Sequence, residues 1–205
     1  MDTADKICGM TSERLARQVD FIVEADKLKT IIRRTPLTDN SRQENSAEHS
    51  WHLAVAAMAL IEYAPPATNL LRVLELVTVH DLVEIDAGDT FAYDAQAGLD
   101  KAERERAAAE RVFGLLPDGD AEGARALWEE FEAAETPEAR FANALDRLQA
   151  LLQNMKAGGG SWIAHNVTRD QVLKRMEPIR QWTPGVWPFV LDVINNACAS
   201  GFIKE

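Results

Sequence analysis

The sequence predicts an all-α protein that forms a single helical domain, and three observations support this. Apolar residues recur at the three- and four-residue spacing of a helix face through most of the chain. Almost no stretch alternates apolar and polar residues as a half-buried strand does, and no internal repeat is present. Proline, glycine and polar turns separate the periodic segments. The 205 residues, 46% of them apolar, suit one core of ordinary size.

The first predicted helix runs from Thr11 to about Ile32, because Thr11-Ser12-Glu13 supplies helix-capping side chains. Its apolar face consists of Leu15, Val19, Ile22, Ala25 and Leu28. Residues 33–41 are predicted to be irregular, since proline and turn-forming residues follow a pair of arginines.

The second predicted helix runs to about Tyr63, with Asn45 as its N-cap and Glu48 placed to complete a capping box. A histidine leads its inward face, which consists of His49, Leu53, Ala56, Leu60 and Tyr63. A lone histidine in such a position is more often a structural core residue than a metal ligand.

The third predicted helix spans about residues 70–85 and ends before Gly88. One face of this helix starts with apolar residues and continues into two carboxylates: Leu70, Leu74, Val77, Asp81 and Glu84. A buried carboxylate is costly unless it is paired, hydrogen-bonded or bound to a metal. His80 lies beside Asp81, and an imidazole next to an oxygen ligand suits a borderline divalent cation.

Five further helices are predicted at about residues 101–115, 122–135, 137–155, 170–181 and 188–199. Thr136-Pro137 provides the cap and first residue of the third of these. Asp146 flanks the core face of that helix, which is formed by Phe141, Leu145, Leu148, Leu152 and Met155. Residues 90–100 are predicted as a loop, 117–120 as a turn and the triple glycine 158–160 as a hinge.

Three helices thus carry His49, then His80-Asp81, then Asp146, in an order that resembles the H…HD…D signature of the HD-domain metal-dependent phosphohydrolases. The resemblance extends to the HD-domain 5′-deoxynucleotidases, through Arg34, Glu44-Asn45, Glu48-His49, Glu84 and Gly88-Asp89. Residues 127–132, Leu-Trp-Glu-Glu-Phe-Glu, are similar to the branch called HD domain-containing protein 2. The similarity covers about residues 28–155 of a single domain spanning 1–205, and leaves a helical tail at 156–205.

The resemblance implies removal of the 5′-phosphate from (deoxy)nucleoside 5′-monophosphates by direct attack of metal-activated water. His49, His80, Asp81 and Asp146 would hold one divalent cation (Mn²⁺, Co²⁺, Fe²⁺, Zn²⁺ or Mg²⁺). Arg34 suits bidentate binding of phosphate oxygens, because its guanidinium is fork-shaped and always charged. The resemblance gives Glu84 a role in orienting water or passing protons, and gives Asp89 a role on the base or sugar side.

Two departures leave alternatives open. Bacterial deoxynucleotidases of this type tend to have a bulky aromatic residue after the arginine, whereas this chain has Thr35 at that substrate-binding position. Strict preference for a 2′-deoxy sugar is therefore open, as are the preferred base and the native cation. Glu84-Ile85-Asp86 also resembles the HDxxED motif of alarmone hydrolases, which release pyrophosphate from guanosine tetraphosphate. A non-catalytic, metal-binding helical protein is the third alternative.

The charge and composition of the chain limit the kinds of partner that we expect. A net charge of −11 argues against a polynucleotide ligand, although a nucleotide needs only a local arginine and a cation. The longest apolar run, residues 53–61, is too short to cross a bilayer, and the acidic amino terminus lacks signal-peptide order. Cys8 and Cys198 have no metal or redox spacing, so we expect reduced thiols and a cytoplasmic protein. The resembling family is commonly dimeric, and residues 182–202 could supply a homodimer interface.

Overall fold

The computed structural model describes residues 12–94 and 99–205, and helices predominate in them, which confirms the all-α prediction. The helices are α1 (Glu13–Ala25), α2 (Ser46–Leu60), α3 (Leu70–Val79), α4 (Glu84–Ala87), α5 (Lys101–Phe113), α6 (Asp118–Ala133), α7 (Pro137–Lys156), α8 (Gly160–Ala164), α9 (Arg169–Trp182) and α10 (Trp187–Ala199). Short 3₁₀ helices occupy Asp26–Thr30 and Ile61–Tyr63. Strands β1 (Ile32–Pro36) and β2 (Gln43–Asn45) form a small antiparallel sheet.

Helix α7 is central because different parts of it belong to different hydrophobic clusters. Phe141 and Leu145 pack with buried residues of α2, α3 and α6. Leu148 and Leu151 pack with α8, α9 and α10. A third cluster joins Leu28 to buried residues around α4, α5 and α6. Asp146 therefore lies on the helix that connects the two larger clusters.

The capping predictions for α2 and α7 are confirmed. The Asn45 side chain accepts a hydrogen bond from the Glu48 backbone N–H at 2.9 Å, and Glu48 Oε2 accepts one from the Asn45 N–H at 3.2 Å. Thr136 Oγ1 accepts from the Ala139 N–H at 3.1 Å, with proline at the start of α7. Each cap satisfies backbone donors that the first helical turn leaves free. The cap at Asn45 fixes the start of α2 and thereby holds His49 in its first turn.

The predicted apolar face of the first helix is wrong at Leu15 and Ile22 and confirmed at Ala25 and Leu28. Leu15 and Ile22 are 45% and 66% exposed, and α1 contains no buried residue. Ala25 packs against the third cluster, as does Phe21, which was not predicted to lie on this face. Leu28 is buried in the same cluster, but it lies in the 3₁₀ segment that follows α1 and not in a continuous α-helix. Thr11, the predicted first residue, lies outside the described residues.

The predicted helix at residues 70–85 is broken. Helix α3 ends at Val79, a turn occupies residues 80–83, and α4 starts at Glu84. The buried face of α3 is Val73, Leu76 and Val77, while Leu70 and Leu74 are only partly buried. The turn places His80, Asp81 and Glu84 together on the wall of one cavity.

The segment predicted to be irregular before α2 contains β1, and its pairing with β2 is bulged. Ile32 pairs with Asn45 and Pro36 with Gln43, so five residues of β1 lie opposite three of β2. A bulge bends a strand and redirects its side chains. Asp118, predicted within a turn, instead begins α6.

The triple glycine forms a left-handed turn packed against β1. Gly160 has φ +38°, and a Cβ atom there would lie 2.7 Å from Pro36 Cγ and 2.8 Å from Asn154 Oδ1. Only glycine permits this approach between α8 and β1. Among residues 12–94 and 99–205, no helix combines the length and apolarity needed to cross a membrane. Cys198 is a partly buried free thiol, and Cys8 lies outside the described residues.

Candidate metal and phosphate site

The four predicted metal ligands meet beside the cavity. The Nε2 atom of His49, on α2, lies 3.2 Å from Asp146 Oδ1 and 4.0 Å from Asp81 Oδ2. The Nε2 atom of His80 lies 3.0 Å from Asp81 Oδ1. One ligand atom each from His49, His80 and Asp81 can be chosen so that all lie within 4.8 Å of one another. Residues as far apart in the chain as His49 and Asp146 are thus brought together by the packing of α2, α3 and α7.

The hydrogen bonds of the two imidazoles leave both Nε2 atoms available for a metal. His49 Nδ1 lies 3.1 Å from Gln149 Oε1, and His80 Nδ1 lies 3.0 Å from the Val77 carbonyl oxygen. Since both partners accept, each Nδ1 carries a hydrogen and donates it. Both Nε2 atoms are buried and make no well-aligned hydrogen bond. Two such nitrogens facing two carboxylates fit a divalent transition-metal cation.

A polar network behind His49 was not predicted from the sequence. Gln149 Nε2 donates to Glu44 Oε1 at 2.8 Å, and Gln153 Nε2 donates to the same oxygen at 2.7 Å. All three side chains are buried. Glu44 belonged to the family resemblance without an assigned role. The glutamines follow Asp146 on α7 by three and seven positions, which is the spacing of one helix face and could have indicated them.

Arg33 lies within a ring of carboxylates. Its Nη1 atom donates to Asp81 Oδ2 at 2.9 Å, and lies 3.4 Å from Asp89 Oδ1 and 3.9 Å from Glu84 Oε1. Its Nη2 atom lies 3.8 Å from Asp146 Oδ1. Burial lowers the pKa of the guanidinium, but these carboxylates outweigh burial and raise it. Sequence reasoning gave Arg33 no role in the site.

Arg34, the predicted phosphate ligand, lies exposed on the rim of the same cavity. It makes no hydrogen bond or ion pair with any residue in the described ranges 12–94 and 99–205. Thr35, the predicted substrate-side residue, is buried and lines the cavity. The bulge in β1 therefore presents two consecutive arginines to one cavity, one engaged by carboxylates and the other open to an incoming anion.

Glu84 and Asp89, to which the resemblance gives roles in proton handling and on the base or sugar side, both line the cavity. Ser46 Oγ donates to Glu84 Oε2 at 2.6 Å. Burial and the neighbouring Asp81 raise the pKa of Glu84 well above its ordinary range, although Arg33 and Ser46 oppose this. Burial also raises the pKa of Asp89, against the effect of Arg33. Asp86 does not line the cavity and instead bonds Arg111 at the surface.

The proposed ligands have pKa values displaced in opposite directions. Burial and Arg33 lower the pKa of His49, but Asp146, Glu44 and Asp81 outweigh them and raise it to about 9. Burial raises the pKa of Asp146, but His49 and Arg175 lower it by more than burial raises it. The pKa of Asp146 therefore lies well below its ordinary value. The raised pKa means that the neighbouring carboxylates favour a protonated imidazole at His49 when no metal cation is bound. A cation bound at Nε2 would replace that proton.

The C-terminal tail forms one wall of the cavity. Arg175, on α9, donates to Asp146 Oδ2 at 3.1 Å and thereby holds the oxygen that faces away from His49. Tyr93, Asn154 and Trp162 line the cavity on the same side. The segment outside the predicted motif region is thus part of the site. One lysine and two glutamates on α5 and α6 also line the cavity, namely Lys101, Glu105 and Glu132.

The chain matches known proteins over most of its length. A family model described as HD domain matches residues 25–187. The crystal structure of a predicted metal-dependent phosphohydrolase from Magnetospirillum magnetotacticum superposes with a TM-score of 0.90 at 50% identity, covering 94% of this chain and 96% of that one. The 5′-deoxynucleotidase HDDC2 of Danio rerio is 31% identical over 66% of this chain and 68% of its own length. A 5′-deoxynucleotidase of Erwinia tasmaniensis is 29% identical over 75% of this chain and 82% of its own length.

The family model spans the helices that carry all four proposed ligands and extends through the tail helix that carries Arg175. The fold, the H…HD…D order and the convergence of these side chains agree with that match. This chain therefore belongs to the HD-domain family of metal-dependent phosphohydrolases.

Proposed function

We propose that this chain removes the 5′-phosphate from (deoxy)nucleoside 5′-monophosphates in a metal-dependent hydrolysis. One arrangement carries this proposal. Two buried imidazole nitrogens that make no well-aligned hydrogen bond face two carboxylates. Nearby, Arg34 has no hydrogen-bond or ion-pair partner among the described residues. The names of the relatives from Danio and Erwinia support a nucleotide substrate. The net charge of −11 agrees with a small ligand and disfavours a polynucleotide.

We assign the cation to His49, His80, Asp81 and Asp146, with its identity among Mn²⁺, Co²⁺, Fe²⁺, Zn²⁺ and Mg²⁺ left open. A bound divalent cation lowers the pKa of water and neutralises charge on a phosphoryl group. Arg175 supports this assignment, because its bond to Asp146 Oδ2 leaves Oδ1 facing His49. Partners that orient metal-binding side chains in this way commonly raise metal affinity.

Arg34 would bind the substrate phosphate at the cavity rim, and Thr35 and Asp89 would face the nucleoside. A guanidinium pairs with two phosphate oxygens at once, which fixes the phosphorus relative to the attacking water. Thr35 is too small to fill the space of an aromatic side chain. We therefore expect this protein to distinguish ribose from deoxyribose monophosphates less strongly than a protein with a bulky aromatic residue at position 35 would.

Glu84 would handle the protons of the reaction. Water adds to phosphorus and gives up one proton as the bond from phosphorus to the 5′ oxygen breaks, and the departing oxygen takes up one proton. A carboxyl group whose pKa is raised by burial holds a proton more readily than an ordinary glutamate, so Glu84 can pass a proton between the attacking water and the departing oxygen. The hydrogen bond from Ser46 to Oε2 fixes the orientation of the group and leaves Oε1 toward the cavity side that contains Arg33.

The alarmone alternative draws no support from Asp86, because that side chain bonds Arg111 and does not line the cavity. One screen separates the remaining possibilities. Chelator-treated protein is supplied with each of the candidate cations and tested for phosphate release from nucleoside 5′-mono-, di- and triphosphates. Pyrophosphate release from guanosine tetraphosphate is measured in parallel.

We expect phosphate release from monophosphates, and loss of both metal and activity in His80→Ala. Pyrophosphate release alone would favour the alarmone alternative, and no release with any cation would favour a non-catalytic protein. Full metal occupancy in His80→Ala would remove His80 from the ligand set.

We also propose that the protein is a cytoplasmic homodimer. The tail segment 182–202 places Val190, Val193 and Ile194 in its own core and leaves Phe189 half exposed. Phe189 is therefore the apolar side chain that this segment could offer to a second copy.

A further inference from the structure

The most unusual feature of the site is that Arg33 occupies the position of a cation among the groups assigned to a metal. Five carboxylates surround its guanidinium at 2.9–3.9 Å, and its side chain is only 13% exposed. They are Glu44, Asp81, Glu84, Asp89 and Asp146. Glu44, Asp81 and Glu84 are buried, and Asp89 and Asp146 are partly buried, so such a cluster without a compensating cation would be destabilising. Arg33 therefore supplies positive charge that the fold needs in this cavity.

Two of the oxygen atoms that Arg33 contacts also face the Nε2 atom of His49. Asp81 Oδ2 is 2.9 Å from Arg33 Nη1 and 4.0 Å from His49 Nε2. Asp146 Oδ1 is 3.8 Å from Arg33 Nη2 and 3.2 Å from His49 Nε2. A divalent cation bound at His49 Nε2 would lie close to these two oxygens, and at such short range it would repel the guanidinium that already contacts them.

We propose that Arg33 is a built-in competitor of the divalent cation: it neutralises the carboxylates of the metal-free protein and is displaced when the cation binds. This inference rests on the proposed metal-dependent function. Metal affinity is then lower than the ligand set alone would give, because binding must break the contacts of Arg33 with Asp81 and Asp146. Occupancy would respond to the concentration of free cation instead of remaining saturated.

The test measures metal affinity, with activity as a separate readout. Chelator-treated parent, Arg33→Met and Arg34→Met are titrated with Mn²⁺ by calorimetry. Both substitutions remove one positive charge from adjacent residues of β1, but only Arg33 contacts the carboxylates. We expect Arg33→Met to bind Mn²⁺ at least about tenfold more tightly than the parent, and the Mn²⁺ affinity of Arg34→Met to stay within about twofold of the parent value. A tenfold change corresponds to about 1.4 kcal/mol of binding free energy.

Arg33→Lys separates charge from shape. It keeps a cation near the carboxylates and should bind Mn²⁺ within about threefold of the parent affinity. If Arg33→Met binds Mn²⁺ as tightly as the parent or less tightly, the inference is overturned, because Arg33 then does not compete with the cation for the carboxylates. Tightening by Arg33→Lys as large as that by Arg33→Met would also overturn it, since charge competition would not be the cause.

A measurement on the parent protein covers the case in which Arg33→Met does not fold. With ¹⁵N-labelled arginine, the Arg33 Nε–H signal is assigned from its loss in Arg33→Lys and followed during titration with diamagnetic Zn²⁺. Competition predicts a large change of this signal at saturation, while an unchanged signal contradicts it. If the parent binds neither Mn²⁺ nor Zn²⁺, the proposed function fails together with the inference. If the parent binds them and Arg33 does not respond, only the inference fails.

Discussion

Replacing Gln149 with leucine tests whether the network behind His49 sets metal affinity. The substitution removes the acceptor that lies 3.1 Å from His49 Nδ1 and one of two donors to Glu44 Oε1. Loss of a group that orients a metal-ligating histidine typically costs 10- to 100-fold in metal affinity. Glu44 Oε2 lies 3.5 Å from His49 Nδ1 and can take over part of the lost contact. We therefore expect a decrease near the lower limit, about tenfold.

Gln153→Leu is the matched control, because Gln153 donates to the same Glu44 oxygen but has no contact with His49. Leaving a buried polar group without its partner costs about 1–3 kcal/mol, so both variants should lower the free energy of unfolding in urea. Only Gln149→Leu should markedly weaken Mn²⁺ binding, measured by calorimetry on chelator-treated protein. Equal Mn²⁺ affinities for Gln149→Leu and Gln153→Leu would refute the role assigned to Gln149.

Further outcomes are expected for kinetics, pH dependence, stability and assembly. Arg34→Ala should lower kcat/KM for a deoxynucleoside monophosphate about 10- to 150-fold, since a charge-assisted contact contributes about 1.5–3 kcal/mol. Parent-like turnover by Arg34→Ala would exclude Arg34 from phosphate binding. Glu84→Gln should chiefly lower kcat. The pKa of His49 is raised from 6.5 to about 9 in the metal-free protein, so its ion pairs stabilise the fold fully below pH 6.5 and are lost as pH rises through 9. For the same reason Mn²⁺ binding at pH 7 should release about one proton, detectable by calorimetry in buffers of different ionisation enthalpy, and zero release would contradict a charged His49. Gly160→Ala should lower Tm by several degrees, because its Cβ would clash with Pro36, while Gly119→Ala, which meets no atom within 4 Å, should not. Light scattering at micromolar protein should give the dimer mass, and a monomer mass would argue against the homodimer.

The sequence by itself determined the helical class, most helix positions and the identity of the metal-ligand candidates. Helical periodicity and caps are local properties, so the starts of α2 and α7 could be derived from Asn45, Glu48 and Thr136 alone. The candidates His49, His80-Asp81 and Asp146 were recognisable because polar groups interrupted or flanked apolar stripes. A resemblance in their order supplied the chemistry.

Tertiary structure decided which polar residues support the ligands and which arginine meets them. Local pattern could not distinguish Arg33 from Arg34, since their separation depends on a bulge that forms only when β1 pairs with β2. Gln149 and Arg175 acquire their roles from contacts with residues 100 and 29 positions away. The break after α3 is also tertiary, because the turn at residues 80–83 brings His80, Asp81 and Glu84 to one cavity wall against the helical preference of an apolar run. A periodic pattern records which side of a helix is buried, but long-range packing determines what each buried polar group finds there.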